Sequence, residues 1–242
     1  MRSNPLTALV LAFVLAAMVP SSRASEQYQA LLQQASRGFE KDYRESWAFT
    51  EERSRAGITW LGRWDPRHNK RWTLLSVDGH EPTDKERSKY QHDKAEELKR
   101  GRGRSQSPDT MVAPGSMTLV SQDASAWHFR FQPTGEGDSA AVMRYLQGNM
   151  TIQKSGPEIT MIEVHSTGNF KPKFGFTVHE FLSRFEFERI QNGPMVPMRL
   201  DFHIVAKAMG LMNINDRVTV HYRDYEKVRD PGVNAEITTT GL

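Results

Sequence analysis

Four histidines lie on segments whose apolar residues alternate as they do in strands, so a metal site is the first chemistry to consider. They are His165, His179, His203 and His221. A zinc ion needs three or four ligands that converge on one point. A turn at Asn192 and Gly193 would set His179 opposite about Ala206 rather than opposite His203, and His203 would also miss His221. The sequence therefore predicts scattered surface histidines, able to respond to pH, and no metal site.

The motifs of hydrolases and nucleotide-binding enzymes are missing from the chain. It contains no G-x-S-x-G elbow, no H-E-x-x-H pair and no G-x-x-x-x-G-K-[ST] loop. His179 and Glu180 have no second histidine at the required spacing. No pair of carboxylates stands among apolar residues that would raise a pKa for acid–base catalysis. We therefore expect a protein that is not an enzyme and uses no cofactor, with an unrecognised envelope hydrolase as an open alternative.

Aromatic and methionine side chains are concentrated on the predicted strands. Aromatic residues make up 10% of the chain, although its hydrophobic content of 38% is low. Such side chains either pack an ordinary core or line a cavity, and adaptable methionine and aromatic walls suit an acyl chain. On the cavity hypothesis, the predicted wall residues are Trp47, Phe49, Trp60, Trp72, Phe129, Phe131, Phe181, Phe185, Met198, Leu200, Phe202, Ile204 and Met212.

A run of basic residues interspersed with glycine lies near the middle of the chain. Its members are Lys99, Arg100, Arg102 and Arg104. A cationic side chain near an anionic lipid surface gains about 1 kcal/mol. The run is therefore predicted to dock the protein on a membrane, unless it is a solvated loop without a partner.

The first 24 residues have the order of parts of a cleavable secretory signal. Arg2 gives the positive start, an apolar run extends from Leu6 to Val19, and small residues precede a cleavage site after Ala24. The run is too short for a comfortable membrane span. Cysteine is absent, which excludes disulfides and a lipid-modified cysteine anchor. We predict a periplasmic protein that is released from its signal and is not lipid-anchored.

The apolar spacing changes along the chain from a helical period to a strand period. Residues 26–39 are predicted to form an amphipathic helix, and 84–100, rich in Lys and Glu, a solvated helix. Residues 101–115, dominated by Gly, Ser, Pro and Arg, are predicted to form a mobile loop. Strands are predicted at 46–53, 58–64, 71–77, 126–131, 145–154, 158–167, 174–190, 195–209 and 217–225.

Short turns join most of these strands, and Asn192 with Gly193 favours a primed hairpin turn. The apolar phase shifts within 174–190, which predicts a bulge or bend near His179. The predicted fold class is α+β: a large curved antiparallel sheet, an open half-barrel of about nine or more strands. The N-terminal helix and a further helix cover its concave face. Residues 25–230 form one domain, with 84–115 as an inserted charged helix and flexible loop, and 231–242 form a C-terminal tail.

This order of elements resembles the outer-membrane lipoprotein carrier superfamily (LolA/LolB-like), in particular its divergent periplasmic members. The likeness is carried by residues 71–79 (RWTLLSVDG), 171–175 (KPKFG), 206–212 (AKAMGLM) and 217–225 (RVTVHYRDY). The resemblance implies an open half-barrel closed by helices around an apolar cavity that holds acyl chains. The charged segment 84–115 departs from the compact middle of a dedicated carrier, and the family's lid-locking arginine has no assigned counterpart here.

Two functions of different classes follow from these observations. The first is a periplasmic protein that binds a lipid, an acyl chain or a lipidated protein and carries it across the envelope. The alternative is an interaction or sensor module that pairs with another envelope protein at a sheet edge, without lipid transfer. The expected partners are a lipid or lipidated protein and inner- or outer-membrane proteins, with no nucleic acid, and the protein is expected to be a monomer.

Overall fold

The computed structural model describes residues 21–99, 107–135 and 140–228. Helix α1 spans Ser21–Ser36 and the short helix α2 spans Tyr43–Ser46. They are followed by β1 (Trp47–Arg55), β2 (Ile58–Trp64), β3 (Trp72–Val77), helix α3 (Asp84–Lys99) and a 3-10 helix (Pro108–Met111). The remaining elements are β4 (Thr118–Gln122), β5 (Ala126–Phe131), the short helix α4 (Ala140–Met143), β6 (Leu146–Gln153), β7 (Glu158–Ser166), β8 (Phe170–Lys173), β9 (Phe176–Arg189), β10 (Met195–Ala208) and β11 (Met212–Lys227).

The eleven strands form one antiparallel sheet in the order β3-β2-β1-β11-β10-β9-β7-β6-β5-β4, with β8 paired to β9. Neighbours in the sheet are mostly neighbours in sequence. There are two exceptions: β7 pairs with β9, because β8 lies off the main path, and a seam in the middle pairs β1 with β11, the last strand described. The sheet is not closed into a barrel, since β3 and β4 are its two edges within the described residues. This confirms the predicted α+β class with a large, open, curved antiparallel sheet.

Bulges interrupt the ladder at the positions where the apolar phase of the sequence changes. In β9, His179 is skipped between Glu180, which is opposite Val205, and Val178, which is opposite Ala206. The bulge predicted near His179 is therefore confirmed. The primed turn predicted at Asn192 and Gly193 is wrong. The Gly193 amide donates to the carbonyl of Ile190 at 2.8 Å, and within this turn Asn192 has a positive φ (58°) at the third position, as in an unprimed type II turn. Because a bulge bends its strand and increases the local twist, these irregularities allow long strands to curve.

Both long helices cover the same face of the sheet. Directly opposite residues of an antiparallel sheet point to one face. One row of such residues runs from Met150 on β6 through Ile162, Phe185, Leu200, Val220 and Arg53 to Trp60 on β2. Leu32 of α1 packs in the cluster that contains Met150, and Glu97 of α3 accepts a hydrogen bond from Arg53 at 2.7 Å. We call this face the inner face.

The outer face carries polar side chains in register across seven strands. The row runs through Asn149, Glu163, Arg184, Asp201, Thr219, Ser54 and Thr59. Within it, Asn149 donates to Glu163 at 3.2 Å and Thr219 donates to Asp201 at 3.0 Å. A shift of one residue in any strand would exchange this row with the apolar inner row, so the alternation specifies the register.

The predicted elements agree with the structure best where the strands are long. The predicted segments 58–64 and 126–131 coincide with β2 and β5. Five short elements were not predicted: α2, the 3-10 helix, α4, β4 and β8. Pro172 within β8 has no amide hydrogen to donate to the ladder, and a proline inside a segment argues against a strand in the sequence. The predicted solvated helix is wrong in one respect, because α3 buries Tyr90 and Lys94 against the sheet.

The predicted mobile loop 101–115 is ordered over its described part. Residues 108–111 form the 3-10 helix, and Val112 bridges to Pro133 and is buried under α1. Residues 100–106, the predicted signal up to residue 20 and the predicted tail 231–242 lie outside the described residues. Helix α1 begins at Ser21, so the predicted domain boundary at residue 25 lies within its first turns.

The close approach of Phe131 to Gly148 gives a test of the inner-face packing. The two residues are opposite each other on β5 and β6, and a Cβ atom at position 148 would overlap the Phe131 ring. Because Phe131 is buried and cannot move aside freely, we expect Gly148→Ala to lower the free energy of unfolding in urea by about 1–3 kcal/mol.

Gly168→Ala is the matched control, since no described heavy atom lies within 4 Å of the position its Cβ would take. Its effect should stay within about 0.5 kcal/mol. Equal unfolding midpoints for the two variants would contradict the described packing of β5 on β6.

Candidate functional site

The middle of the inner face is a grid of nine side chains on three adjacent strands. Residues at alternate positions of β9, β10 and β11 face the same side and lie opposite one another. The rows across the grid are Phe181, Ile204 and Asp216; Ser183, Phe202 and Val218; and Phe185, Leu200 and Val220. From the spacing of strands and residues, the grid measures about 10 Å by about 14 Å. We call it the central grid.

The central grid is apolar and only half-buried. Seven of its side chains are hydrophobic, and all nine except the buried Val220 are partly exposed. The buried inner-face residues form three clusters around it: one under α3, one under α1, and one beside β8 and α4. Within the described residues, Phe202 at the centre and its diagonal neighbour Phe185 belong to none of the three clusters. The grid is therefore a gap in the cover of the inner face.

Helix α1 forms one margin of this gap. Its apolar residues recur at helical spacing, and Leu32 and Ala35 are completely buried on β5–β7. The ring of Tyr28 meets that of Phe129 edge to face at 5.2 Å. After the helix, Phe39 contacts Phe187 at 5.0 Å, and Phe187 stacks on Phe185 of the grid at 6.0 Å. A continuous series of aromatic rings therefore leads from the end of α1 into the grid.

Helix α3 forms the opposite margin and is held there by charged groups. The Lys94 ammonium lies 2.5 Å from Oε1 of Glu51 on β1, and the two residues are 4% and 3% exposed. Glu97 bridges Lys94 at 3.5 Å and Arg53 at 2.7 Å, which completes a cluster of four charges. The Lys94 ammonium also lies 4.0 Å from the centre of the Trp72 ring. Because each charge has an opposite charge beside it, the burial of the cluster is tolerated.

Burial and neighbouring charge act against each other on the pKa values of this cluster. Burial lowers the pKa of Lys94, and the adjacent Glu51 only partly offsets that effect. Burial opposes ionisation of Glu97 as well, but Lys94 and Arg53 together hold the pKa of Glu97 below its usual range. Burial raises the pKa of the Tyr90 hydroxyl, and the Glu51 carboxylate raises it further. The ammonium and carboxylates therefore depend on one another for their charge.

The lack of a side chain at Gly62 lets α3 approach the sheet. The Tyr90 hydroxyl occupies the place that a Cβ atom of residue 62 would take, and it has no hydrogen-bond partner among the described residues. Side chains of α3 also reach the edge strand: Gln91 donates to the carbonyl of Trp72 and Arg87 to the carbonyl of Leu74. One face of α3 carries Tyr90, Gln91, Lys94 and Glu97, at the spacing that places residues on the same side of a helix. The many charged residues of this segment nevertheless led to the prediction of a solvated helix.

The predicted wall residues divide into two groups. Five of them stand half-buried in the central grid, namely Phe181, Phe185, Leu200, Phe202 and Ile204. Trp60 is also half-buried and packs against the cluster under α3. Trp47, Phe49, Trp72, Phe129 and Phe131 are instead buried core residues beneath the helices. Met198 is unpaired with β9 in a bulge of β10. The sequence reasoning did not identify Ser183, Asp216, Val218 and Val220 of the grid.

Met212 lies away from the central grid. It is the first residue of β11, opposite Ala208 at the end of the inner face, and it is 65% exposed. Of the predicted docking residues, Lys99 ends α3 and pairs with Glu96 at 2.9 Å. Arg100, Arg102 and Arg104 lie outside the described residues.

The histidines on the strands are dispersed over the outer face and the bulge. His165 and His203 lie in one row but are separated by Leu182 of β9, so they are two strands, or about 10 Å, apart. His203 is opposite Arg217 and contacts Glu180 at 2.9 Å, whereas His221 is opposite Arg199. Among residues 21–99, 107–135 and 140–228, no group of three or more potential ligands could hold a metal ion. In the same ranges, no helix has the length and apolarity needed to cross a membrane.

The fold can be compared with solved structures. It is similar to the crystal structure of the LolA superfamily protein NE2245 from Nitrosomonas europaea, over 84% of this chain and 93% of that chain, with 15% sequence identity and a TM-score of 0.38. The likeness is distant. Neither a protein-family model nor a curated protein matches the chain significantly.

The Glu51–Lys94 pair gives a test of how α3 is held. We expect Glu51→Leu and Lys94→Met each to lower the free energy of unfolding by about 3 kcal/mol, because each leaves a buried charge without its main partner. The double variant Glu51→Leu/Lys94→Met should lose much less than the sum of the two.

Lys89→Met is the control, since its pair with Asp93 is exposed and should contribute less than about 1 kcal/mol. Urea denaturation measures all four variants. Additive effects in the double variant would contradict the coupling of Glu51 to Lys94.

Proposed function

We propose that the protein binds the acyl chain of a lipid or lipidated protein on the central grid, between α1 and α3, and carries it across the periplasm. The observation that carries this proposal is the half-buried position of Phe202 and Phe185, large apolar side chains that belong to none of the surrounding clusters. Compartment and release from the membrane are inferred from the predicted signal in residues 1–24 and from the absence of cysteine.

The free energy of binding in such a site comes from the burial of methylene groups. Each buried methylene contributes about 0.8 kcal/mol, so about ten of them contribute about 8 kcal/mol before the costs of ordering. That value corresponds to dissociation constants in the micromolar range. A ligand held only by apolar burial can also be released without chemistry, as a carrier requires.

The charged groups that border the grid favour binding over catalysis. Arg55 forms two hydrogen bonds with Asp216, at 2.8 and 2.9 Å. Arg53, at the next position along the inner face of β1, is bound to Glu97. Because each of these side chains is already engaged with an opposite charge, the site offers burial rather than an acid, a base or a nucleophile. We therefore infer a binding protein rather than an enzyme.

The two sheet edges weigh against the alternative of an interaction module that pairs by strand addition. At the β3 edge, Gln91 of α3 donates a hydrogen bond to the carbonyl of Trp72, and Arg87 donates one to the carbonyl of Leu74. The other edge, β4, is only five residues long and contains a bulge at Val120. Covered edges and short, bulged edges are the devices by which proteins prevent strand addition.

Ser183 gives a specific test of the grid because it is the small residue opposite Phe202. We expect Ser183→Phe to fill the middle of the grid and to weaken binding of a fluorescent fatty acid by tenfold or more, about 1.4 kcal/mol. The matched control is Glu186→Phe, on the outer face of the same strand, which should bind like the unmodified protein. Fluorescence titration measures the affinities, and circular dichroism checks that both variants fold.

Saturable binding that is equal in both variants would place the ligand elsewhere. Native mass spectrometry of the protein purified from its own compartment gives an independent result. A bound lipid supports the proposal, whereas a bound polypeptide in its place favours the interaction module.

A further inference from the structure

Two neighbouring turns at one end of the sheet carry the most exposed large apolar side chains of the described residues. Phe174, in the turn between β8 and β9, is 100% exposed. Met209 and Leu211, in the turn between β10 and β11, and Met212, the first residue of β11, are 74%, 88% and 65% exposed. Other exposed apolar residues, such as Val120 at 55%, stand singly on strands or helices elsewhere. We call these four residues the apolar tip.

The two turns form one unit. The amide of Met209 donates to the carbonyl of Gly175 at 2.6 Å, which joins the β10–β11 turn to the β8–β9 turn. Gly175 and Gly210 both adopt left-handed conformations (φ 74° and 72°), which glycine reaches without steric cost. The hydrogen bond and the fixed turn geometry hold the apolar side chains together at the end of long strands, rather than on a loose loop.

Among the described residues, the charge next to the apolar tip has a single sign. Lys171, Lys173 and Lys207 are exposed beside the tip. The stretches 168–178 and 206–215 contain no acidic residue. The first acidic residues beyond them are already engaged, Glu180 with His203 at 2.9 Å and Asp216 with Arg55 at 2.8 Å. Within the part of the chain that the structure describes, the three lysines therefore present a positive charge without an ion-pair partner next to four apolar side chains.

We propose that the apolar tip docks the protein on an anionic lipid bilayer. Phe174, Leu211 and the two methionines insert at the boundary between headgroups and acyl chains, and the three lysines contact lipid phosphates. Exposed apolar groups flanked by lysine have the composition of interfacial membrane anchors. A protein partner for the same surface would have to be strongly acidic and to offer an apolar pocket for each of the two turns.

The apolar tip is continuous with the apolar surface of the central grid. Between the tip and the central grid lies the cluster of Phe170, Val178 and Ala206, against which Phe181 and Ile204 of the grid also pack. The inner face is therefore apolar from the tip to the grid. This docking surface differs from the basic run 99–104, and it does not depend on what the central grid binds.

Flotation with vesicles tests the apolar part of the proposal. With vesicles of phosphatidylethanolamine and phosphatidylglycerol, we expect Phe174→Ser/Leu211→Ser to lower the partition coefficient about tenfold or more. Val120→Ser, which changes a 55% exposed apolar residue on the β4 edge, away from the tip, should have no effect. Both changed sites of the tip are exposed, so the variants should fold, and fatty-acid binding to the grid should be unchanged. Unaltered partitioning of the double variant would overturn the proposal.

The lysines are tested separately by charge. Lys171→Gln/Lys173→Gln/Lys207→Gln should weaken binding to the same vesicles on the order of a hundredfold, about fivefold for each charge, and added salt should reduce the difference. The control Lys41→Gln/Lys70→Gln/Lys85→Gln removes the same number of exposed charges elsewhere and should bind like the unmodified protein. Equal losses in the two triple variants would contradict a localised docking surface.

The absence of cysteine allows a third measurement on the full chain. An environment-sensitive fluorophore attached at Phe174→Cys should shift to the blue when vesicles are added and should be quenched by a lipid-borne quencher. The same label at Val120→Cys should not respond. A silent label at position 174 on bound protein would mean that another surface touches the bilayer and would overturn the proposal.

Discussion

Ten hydrogen-bonded strands side by side span about 43 Å, because neighbouring strands lie about 4.8 Å apart. An α-helix with its side chains is about 10 Å wide, so α1 and α3 together cover about half of that width. The remainder of the apolar inner face must be closed by short elements or by a bound molecule. The cluster beside β8 and α4 closes one end. The central grid is what remains, and its exposure is therefore a geometric consequence of the size of the sheet.

The two helices meet this constraint by different physical means. Helix α1 buries an apolar stripe and contributes to the core in the ordinary way. Helix α3 has few apolar residues and is fixed by the Glu51–Lys94 pair, by Glu97 and by side chains that occupy β3 carbonyls. Buried ion pairs contribute little net stability but strongly favour one arrangement of their partners. Polar and charged contacts therefore fix the position of helix α3 on β1 and β3, without a large apolar contact.

Alternation along the long strands was sufficient to predict the antiparallel sheet, the bulge at His179 and the failure of His203 to meet His221. It identified Phe202 and Phe129 equally, because both point to the inner face, yet only tertiary contacts determine that α1 covers Phe129 and that Phe202 stays half-buried. The burial of Lys94 was not predictable from composition, since its partner Glu51 is distant in sequence. Elements of four or five residues, such as α4 and β4, are too short for a periodic signal.

The seam between β1 and β11 joins residues that are far apart in the chain; Arg55 and Asp216, which pair across it, are 161 positions apart. The sheet cannot be completed until β11 has been synthesised, and closing so long a loop makes folding slow. Before that moment, β1, β2 and β3 lack the neighbour that joins them to the other strands. Completion of the sheet therefore waits for the last described strand, although most of the other strand pairs are local in sequence.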